Sequence, residues 1–370
     1  MNTNSLSAAT SKRLMSLDAL RGFDMFCIIG GERVFWSLHN IFGHPITAGI
    51  RKQLEHAEWE GFRFEDLIFP LFLFIVGAAM PFSFGKRLAL GDSRKKLYFH
   101  IIKRVLILFA LGMAAQGNLL AYDLSKLHIY CNALQAIAAG YLIASIVMLN
   151  LNIKWQMVTT AGLLLLFWAL MTLVPVPGYG AGVLTPDGNL AIYLDKLILG
   201  QFQDGTSYTW ILSSMTFGCT VMLGAMAGEL LRSERKQTAK VLWLLGAGVG
   251  CLLLGLMWGN WFPIINHLWT SSLVLFSGGW CLLLLALFYL VIDVWGLRKW
   301  AFGFVVIGMN AIAVYMATRL FDFHHIGNIF VGGLDKWLGP WNDFVQTTAA
   351  FAVVWLILYW MYRKKSFIKI

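Results

Sequence analysis

The residues best suited to chemistry stand just before a long apolar run. His56 opens the segment 56–77, and four carboxylates follow it, the last of them directly before the apolar run 67–84. Charged groups at the edge of hydrocarbon are costly to desolvate, so this cluster beside an imidazole indicates a candidate site. The alternative is an ordinary interfacial loop that precedes a membrane helix. The four carboxylates are Glu58, Glu60, Glu65 and Asp66.

A histidine in this position could act as a general base. Transfer of an acyl group to an amine or hydroxyl requires that the acceptor lose a proton as it attacks the carbonyl, and imidazole titrates near neutral pH. A neighbouring carboxylate would fix the tautomer of the ring and stabilise the imidazolium. We predict that Asp66 is this partner of His56, because it lies at the mouth of the apolar run.

Three polar residues stand inside apolar runs. Glu32, Gln135 and Asn310 are expensive in lipid, so we expect them to face the protein interior. We predict a catalytic role for Glu32, although Arg33 could neutralise it. For Gln135 and Asn310 we predict contacts with a coenzyme, and hydrogen bonding between helices is the alternative.

Two further groups of residues suggest ligand contacts. Arg21, Lys103 and Arg104 are predicted at cytosolic helix ends, where they could bind a coenzyme phosphate or, more simply, lipid headgroups. Trp59 and Trp269 could stack on a sugar beside Glu58, but tryptophan is also the usual residue of membrane interfaces.

The composition identifies the elements that must position these residues. With 370 residues, 58% hydrophobic and only 13% charged, the chain falls outside the soluble globular class, in which roughly a quarter of residues are charged. Its spans should be helices of about 20 residues, because the backbone must satisfy its own hydrogen bonds in lipid. The sequence therefore predicts an all-α, polytopic membrane bundle with about ten spans. The predicted spans are 17–38, 64–84, 98–117, 130–149, 155–174, 211–231, 241–258, 270–292, 301–320 and 344–362.

The distribution of Lys and Arg predicts the orientation of this bundle. The ends and loops on one side carry most of the basic residues, including the runs at 86–96, 232–240 and 363–369. By the positive-inside rule both termini are cytosolic, and His56 faces the opposite side together with the loops 39–63 and 175–210. The net charge of +10 is thereby explained without nucleic acid. One domain is expected to cover residues 1–370, with a flexible polar tail at 1–12, and the five isolated cysteines suggest no metal site.

Several motifs together resemble the heparan-α-glucosaminide N-acetyltransferase family. The most specific is H-x-x-W-x-G-x-x-x-x-D-L-I-F-P-x-F-x-F-I-V-G at 56–77. Further matches are RLMSLDALRG at 13–22, VPVPG at 174–178, LWTSS at 268–272, GMN at 308–310 and YRKKSFIKI at 362–370.

The resemblance implies a transmembrane enzyme that moves an acetyl group from cytosolic acetyl-CoA to an amino sugar or glycan on the far side of the membrane. It implies that His56 is catalytic, and it aligns Glu32 with an asparagine of the family. We expect a multi-pass protein of a bacterial inner membrane that contacts lipid, uses no metal, and has a homodimer among its candidate assemblies. O-acetylation of a surface glycan, or transport of a sugar or lipid without transfer, are the alternatives.

Overall fold

The chain folds as a bundle of helices. The computed structural model describes residues 14–368, so the predicted flexible tail at 1–12 lies outside the described residues. Within 14–368 the elements are helices and their connections, without an extended strand. The all-α prediction is confirmed. The helices are α1 Met15–Phe26, α2 Glu32–Phe42, α3 Pro45–Gln53, α4 Glu65–Ala89, α5 Arg94–Ala115, α6 Ala133–Asn150, α7 Ile153–Leu173, α8 Leu190–Leu199, α9 Ser214–Arg232, α10 Gln237–Gly259, α11 Ser271–Phe288, α12 Phe302–Gly308, α13 Ala311–Leu320, α14 Phe323–Val331, α15 Asp335–Leu338 and α16 Asn342–Arg363.

Among residues 14–368, eight helices are long and apolar enough to cross a membrane, or nine if α12 and α13 count as one bent span. These two short helices meet at an angle of 73° around the break that contains Asn310. The sequence predicts about ten spans. The difference lies in the first of them, 17–38, which is not among the membrane-length apolar helices.

The first predicted span is a broken helix. A π-helical segment, Cys27–Gly31, joins α1 to α2, and Gly30 within it has φ 102°. This left-handed conformation suits glycine, because a Cβ would clash with the backbone. Charged residues also interrupt the predicted span 17–38, and one of them, Asp24 of α1, is fully buried. The break places Glu32 at the first position of α2.

Helix α4 occupies the centre of the bundle, in contact with α1, α6, α9 and α11. It packs most extensively on α9, where small residues let the two backbones approach closely. A Cβ added at Gly224 of α9 would overlap the carbonyl oxygen of Phe74, and one added at Gly77 of α4 would overlap that of Val221. Close glycine contacts of this kind are typical of helix pairs in membranes. The tight α4–α9 pair therefore fixes the helix that carries Asp66.

Enlarging Gly224 is expected to destabilise the fold. Gly224→Val must push α4 and α9 apart, and overpacking of this kind costs about 1–3 kcal/mol or more. Gly246→Val on α10 is the matched control, because a Cβ there meets no atom within 4 Å. The difference in melting temperature between the two variants is measured on detergent-solubilised protein, with size-exclusion chromatography used to monitor thermal unfolding. Equal melting temperatures for the two variants would contradict this packing.

The connections opposite the basic loops contain short helices of their own. Helix α3 lies in the segment 39–63, α8 in 175–210, and α14 and α15 in 321–343. Asn189 caps α8 by accepting a hydrogen bond from the backbone N–H of Ile192 at 2.8 Å. These connections therefore contain regular structure.

Candidate active site

His56 borders a cavity of about 390 Å³. The loop between α3 and α4 carries this residue, and the guanidinium of Arg63 donates to its backbone carbonyl at 2.8 Å. The cavity is lined by helix ends and loops from distant parts of the sequence, all on one side of the bundle. Among its lining residues are Glu32, Glu65, Gln116, Tyr208, Asn266 and Arg319.

His56 and Asp66 form the predicted pair. The distance from His56 Nδ1 to Asp66 Oδ1 is 2.8 Å. Because the carboxylate accepts at Nδ1, the neutral imidazole carries its proton there and leaves Nε2 free to act as an acceptor. The His56 side chain is 49% exposed, and the Asp66 side chain is fully enclosed. The reactive nitrogen of the ring is thus available to a molecule in the cavity.

Asp66 is held by four donors. Besides His56, the side-chain amide of Asn266 donates to Oδ1 at 2.9 Å. The backbone N–H groups of Ala57 and Arg63 donate to Oδ2 at 3.1 and 2.9 Å. Asp66 lies in the first turn of α4, where the helix dipole stabilises negative charge. This network fixes an ionised carboxylate beneath the ring.

The environment of His56 changes its acid–base behaviour. The hydrogen bond to the Asp66 carboxylate raises the pKa of the imidazole above its ordinary value, and burial opposes this effect in part. The nearby carboxyl groups of Asp66, Glu65 and Glu32 raise it further. The ring is consequently a stronger base than an isolated histidine.

Glu32 also borders this cavity, beside Glu65 of α4. The two acidic side chains interact electrostatically with each other. The structure therefore places His56 and Glu32 on one cavity together with Glu65, and it places Asp66 behind the ring of His56.

A second cavity of about 620 Å³ adjoins the first. Ile28, Glu32 and Arg319 border both cavities, and Arg33 borders only the larger one of these two. The two neighbouring cavities together extend from His56 towards α13 and α16.

Trp59 ties together the loops on this face. Its indole N–H donates to the carbonyl oxygen of Leu184 at 3.0 Å, which links the segments 39–63 and 175–210. Its ring also meets that of His267 edge-on, with 5.2 Å between centroids. Two further cavities have volumes of about 220 and 380 Å³. The predicted sugar-contacting residue Glu58 is exposed and borders none of these four cavities.

Trp269 lies in the core of the bundle and not on a surface that a sugar could contact. It is 1% exposed, its indole N–H donates to Thr220 Oγ1 at 3.0 Å, and its ring packs against Phe69 and Phe217. An enclosed side chain cannot stack on a ligand, so its place in the structure supports a packing role instead. Sequence hydropathy cannot distinguish such a core tryptophan from one at a membrane interface.

The predicted phosphate contacts do not form one group at a helix end. Lys103 and Arg104 are the tenth and eleventh residues of α5, which begins at Arg94 and not at 98 as predicted. Arg104 lies over the ring of Tyr141, with Cζ 4.5 Å from the centroid, whereas Lys103 is exposed. Arg21 forms an ion pair with Asp18 at 3.7 Å. None of the three borders the cavities described.

Gln135 makes its hydrogen bonds within the protein. It is fully buried, accepts from the backbone N–H of Cys131 at 2.9 Å, and donates to the carbonyl oxygens of Ile129 and Phe109. The structure therefore supports the alternative given for Gln135, hydrogen bonding within the protein. Both its amide oxygen and its NH₂ group are used in these contacts.

Asn310 joins the break between α12 and α13 to the end of the chain. Its amide donates to the carbonyl oxygen of Ser366 at 3.3 Å and accepts from the backbone N–H of Ile368 at 3.0 Å. The side chain is 1% exposed. A coenzyme could reach this amide only if the terminal segment moved.

Three residues of the site escape sequence reasoning. Asn266 orients Asp66, Tyr208 stacks on His267 with 4.1 Å between ring centroids, and Arg319 borders both cavities. Asn266 lies two residues before the LWTSS motif, which is the only signal that could have identified it. Among residues 14–368 no group of three or more His, Cys, Asp or Glu side chains could hold a metal ion.

Comparison with known proteins gives a distant relationship. A family model described as a domain of unknown function (DUF5009) matches residues 13–180. The chain is 25% identical over 427 residues to heparan-alpha-glucosaminide N-acetyltransferase of Mus musculus, and 26% identical over 428 residues to that of Homo sapiens. Each alignment covers 98% of this chain and 61% of the relative, so the chain spans about three-fifths of the length of these relatives.

Proposed function

We propose that this protein is a membrane-embedded acetyltransferase. It moves an acetyl group from cytosolic acetyl-CoA to an amino sugar at the membrane face that carries His56. The observation that supports this most strongly is the His56–Asp66 pair, 2.8 Å apart, on an open cavity of a multi-helix membrane bundle. The distant relationship to heparan-alpha-glucosaminide N-acetyltransferases supports the same reaction class.

In the proposed reaction, His56 is the general base. Its Nε2 takes a proton from the acceptor nitrogen as that nitrogen attacks the thioester carbonyl. The C–N bond forms, the C–S bond breaks, and the imidazolium returns the proton to the departing thiolate. Asp66 keeps the ring in the required tautomer and stabilises its positive charge during the transfer. Because a thioester is already activated, positioning and proton removal provide most of the catalysis.

The coenzyme would enter from the basic side of the bundle. Arg104 lies eleven residues before the end of α5, roughly 16 Å along the helix axis at 1.5 Å per residue. Gln116, directly after α5, borders the His56 cavity. The acyl arm of the coenzyme would therefore follow α5 from the basic side towards Gln116. Both cytosolic termini and this coenzyme position are part of the proposal.

Purified protein in liposomes, incubated with labelled acetyl-CoA and a panel of sugars, tests the function. We expect acetyl transfer to glucosamine-like sugars and none to their N-blocked analogues. Transfer to the blocked set would instead indicate an O-acetyltransferase. Uptake of sugar without consumption of the thioester would indicate a transporter and would refute the proposal.

The pH dependence of catalysis should report His56. A general base works as the neutral imidazole, and the pKa of this ring is raised by Asp66. The rate should therefore fall as pH decreases through an inflection above the ordinary histidine range. In Asp66→Asn the residual activity should show an inflection at lower pH, because the carboxylate that favours the imidazolium is gone. Profiles of kcat/KM for one acceptor in both proteins provide the measurement, and coincident inflections would contradict the assignment.

A further inference from the structure

We propose that Glu32 and Glu65 bind the acceptor as an ammonium ion and take its first proton. This inference rests on the proposed acetyltransferase function and assigns two residues to recognition of its substrate. The carboxyl pair acts before His56: it selects the protonated amine and delivers a neutral nucleophile to the base.

The first support is the placement of the pair. Glu32 begins α2 and Glu65 begins α4, and the break at Gly30 brings the two helix starts to the same cavity. Both side chains line this cavity and interact electrostatically with each other and with His56. Two acidic groups on one cavity repel each other unless they share a proton or bind a cation. A ligand ammonium satisfies both carboxylates at once.

The second support is a set of acceptors that lack donors. Oε2 of Glu65 is buried and accepts no hydrogen bond within the described part of the chain. The same holds for Oδ1 of Asn266, a residue that is 4% exposed and borders the same cavity. Buried polar atoms without partners are rare and costly. An ammonium carries N–H donors, which is what these two oxygens lack.

The charges around the cavity favour a cation next to the pair. The charged or titratable groups on its lining besides the pair are His56, Cys27, Cys131, Asp204, Tyr208, Tyr315 and Arg319, and Arg33 interacts electrostatically with Glu32. Asp66 is already engaged by four donors, and Asp204 accepts from the indole N–H of Trp210 at 3.1 Å. Further inside, the buried carboxyl of Asp24 interacts electrostatically with Glu65.

The proton balance of the reaction requires a second proton acceptor besides His56. A primary ammonium must lose one proton before its nitrogen can attack, and a second as the amide forms. The second proton goes to His56 and then to the thiolate of coenzyme A. The first goes to the carboxylates of Glu32 and Glu65 and leaves through the cavity to water, so that the reaction releases one proton in total. A hydroxyl acceptor has only the second proton to give.

Substitution by the isosteric amide tests the pair. Glu65→Gln and Glu32→Gln are expected to raise KM for glucosamine about 10- to 100-fold near neutral pH, the range lost with a charge-assisted hydrogen bond. The defect should shrink at pH values where the amine is already neutral. Glu60→Gln is the matched control, because Glu60 is exposed and borders none of the four cavities.

A binding measurement separates this inference from the proposed function. Tryptophan fluorescence of the protein without acetyl-CoA should report binding of glucosamine but not of N-acetylglucosamine, and Glu65→Gln should weaken that binding. Equal binding of both sugars by the wild type, or unchanged KM and pH dependence in both Gln variants, would overturn the ammonium site while transfer itself persists. Absence of transfer by the wild type to any acceptor would instead refute the function. Glu32→Asn provides a second variant if either Gln form fails to fold.

Discussion

Replacing His56 with alanine is expected to reduce acetyl transfer by about 10²- to 10⁴-fold, the contribution typical of a positioned general base. The change removes the ring and leaves Asp66 with three of its four donors, from Asn266, Ala57 and Arg63. Folding should therefore survive. The measurement is the initial rate of coenzyme A release with saturating glucosamine, together with the melting temperature.

His325→Ala is the matched control for this substitution. His325 is exposed, its side chain makes no hydrogen bond to another described residue, and it borders none of the four cavities. Full activity is expected for this variant. If His56→Ala retained more than about a hundredth of the wild-type rate, a general-base contribution of at least about 10²-fold would be excluded.

Asp66→Asn should have an effect of similar size through the orientation of the ring. In the wild type, four N–H groups donate to the two oxygens of the Asp66 carboxylate. In Asp66→Asn one of these oxygens is replaced by an NH₂ donor, so at least one of the four N–H groups loses its acceptor. If the NH₂ faces His56, Nδ1 must accept and the ring proton moves to Nε2, the nitrogen that has to act as the base. A loss of about 10²- to 10⁴-fold in kcat is expected, and each donor left unsatisfied costs about 1–3 kcal/mol of stability.

Kinetics of the double variant show whether the two residues act as one unit. The loss of kcat in the double variant His56→Ala/Asp66→Asn should be close to the loss in His56→Ala alone, because a carboxylate cannot orient a ring that is absent. Asp187→Asn, an exposed carboxylate on the same face, is the control. Multiplicative losses, or a normal rate for Asp66→Asn, would show that Asp66 does not act through His56.

The membrane class and most spans could be predicted because they depend on local composition. Any run of about 20 apolar residues must form a helix in lipid, wherever it stands in the chain. The predicted span 64–84 accordingly corresponds to α4, Glu65–Ala89. The first span could not be delimited in this way, since its helix breaks at Gly30.

The His56–Asp66 pair could be predicted from the sequence because the two residues are only ten positions apart. His56 lies on the loop before α4 and Asp66 lies in the first turn of α4, so a single reversal of the loop brings them together. Glu32 also reaches the site, but its partner Glu65 could not be chosen from among four neighbouring carboxylates. Only the folded α1–α2 break shows which of them lies beside it.

The remaining roles depended on long-range packing. Hydropathy places Trp269 and Gln135 in apolar surroundings but does not say which neighbours they meet, and both turn out to be internal contacts. The sequence by itself determined the helical membrane class and the imidazole–carboxylate pair, because each follows from residues close together in the chain. The tertiary structure decided that Asn266, 200 positions from Asp66, completes its hydrogen bonds, and that Glu32 meets Glu65. Such contacts arise only when separate helix ends converge, and no local pattern encodes that convergence.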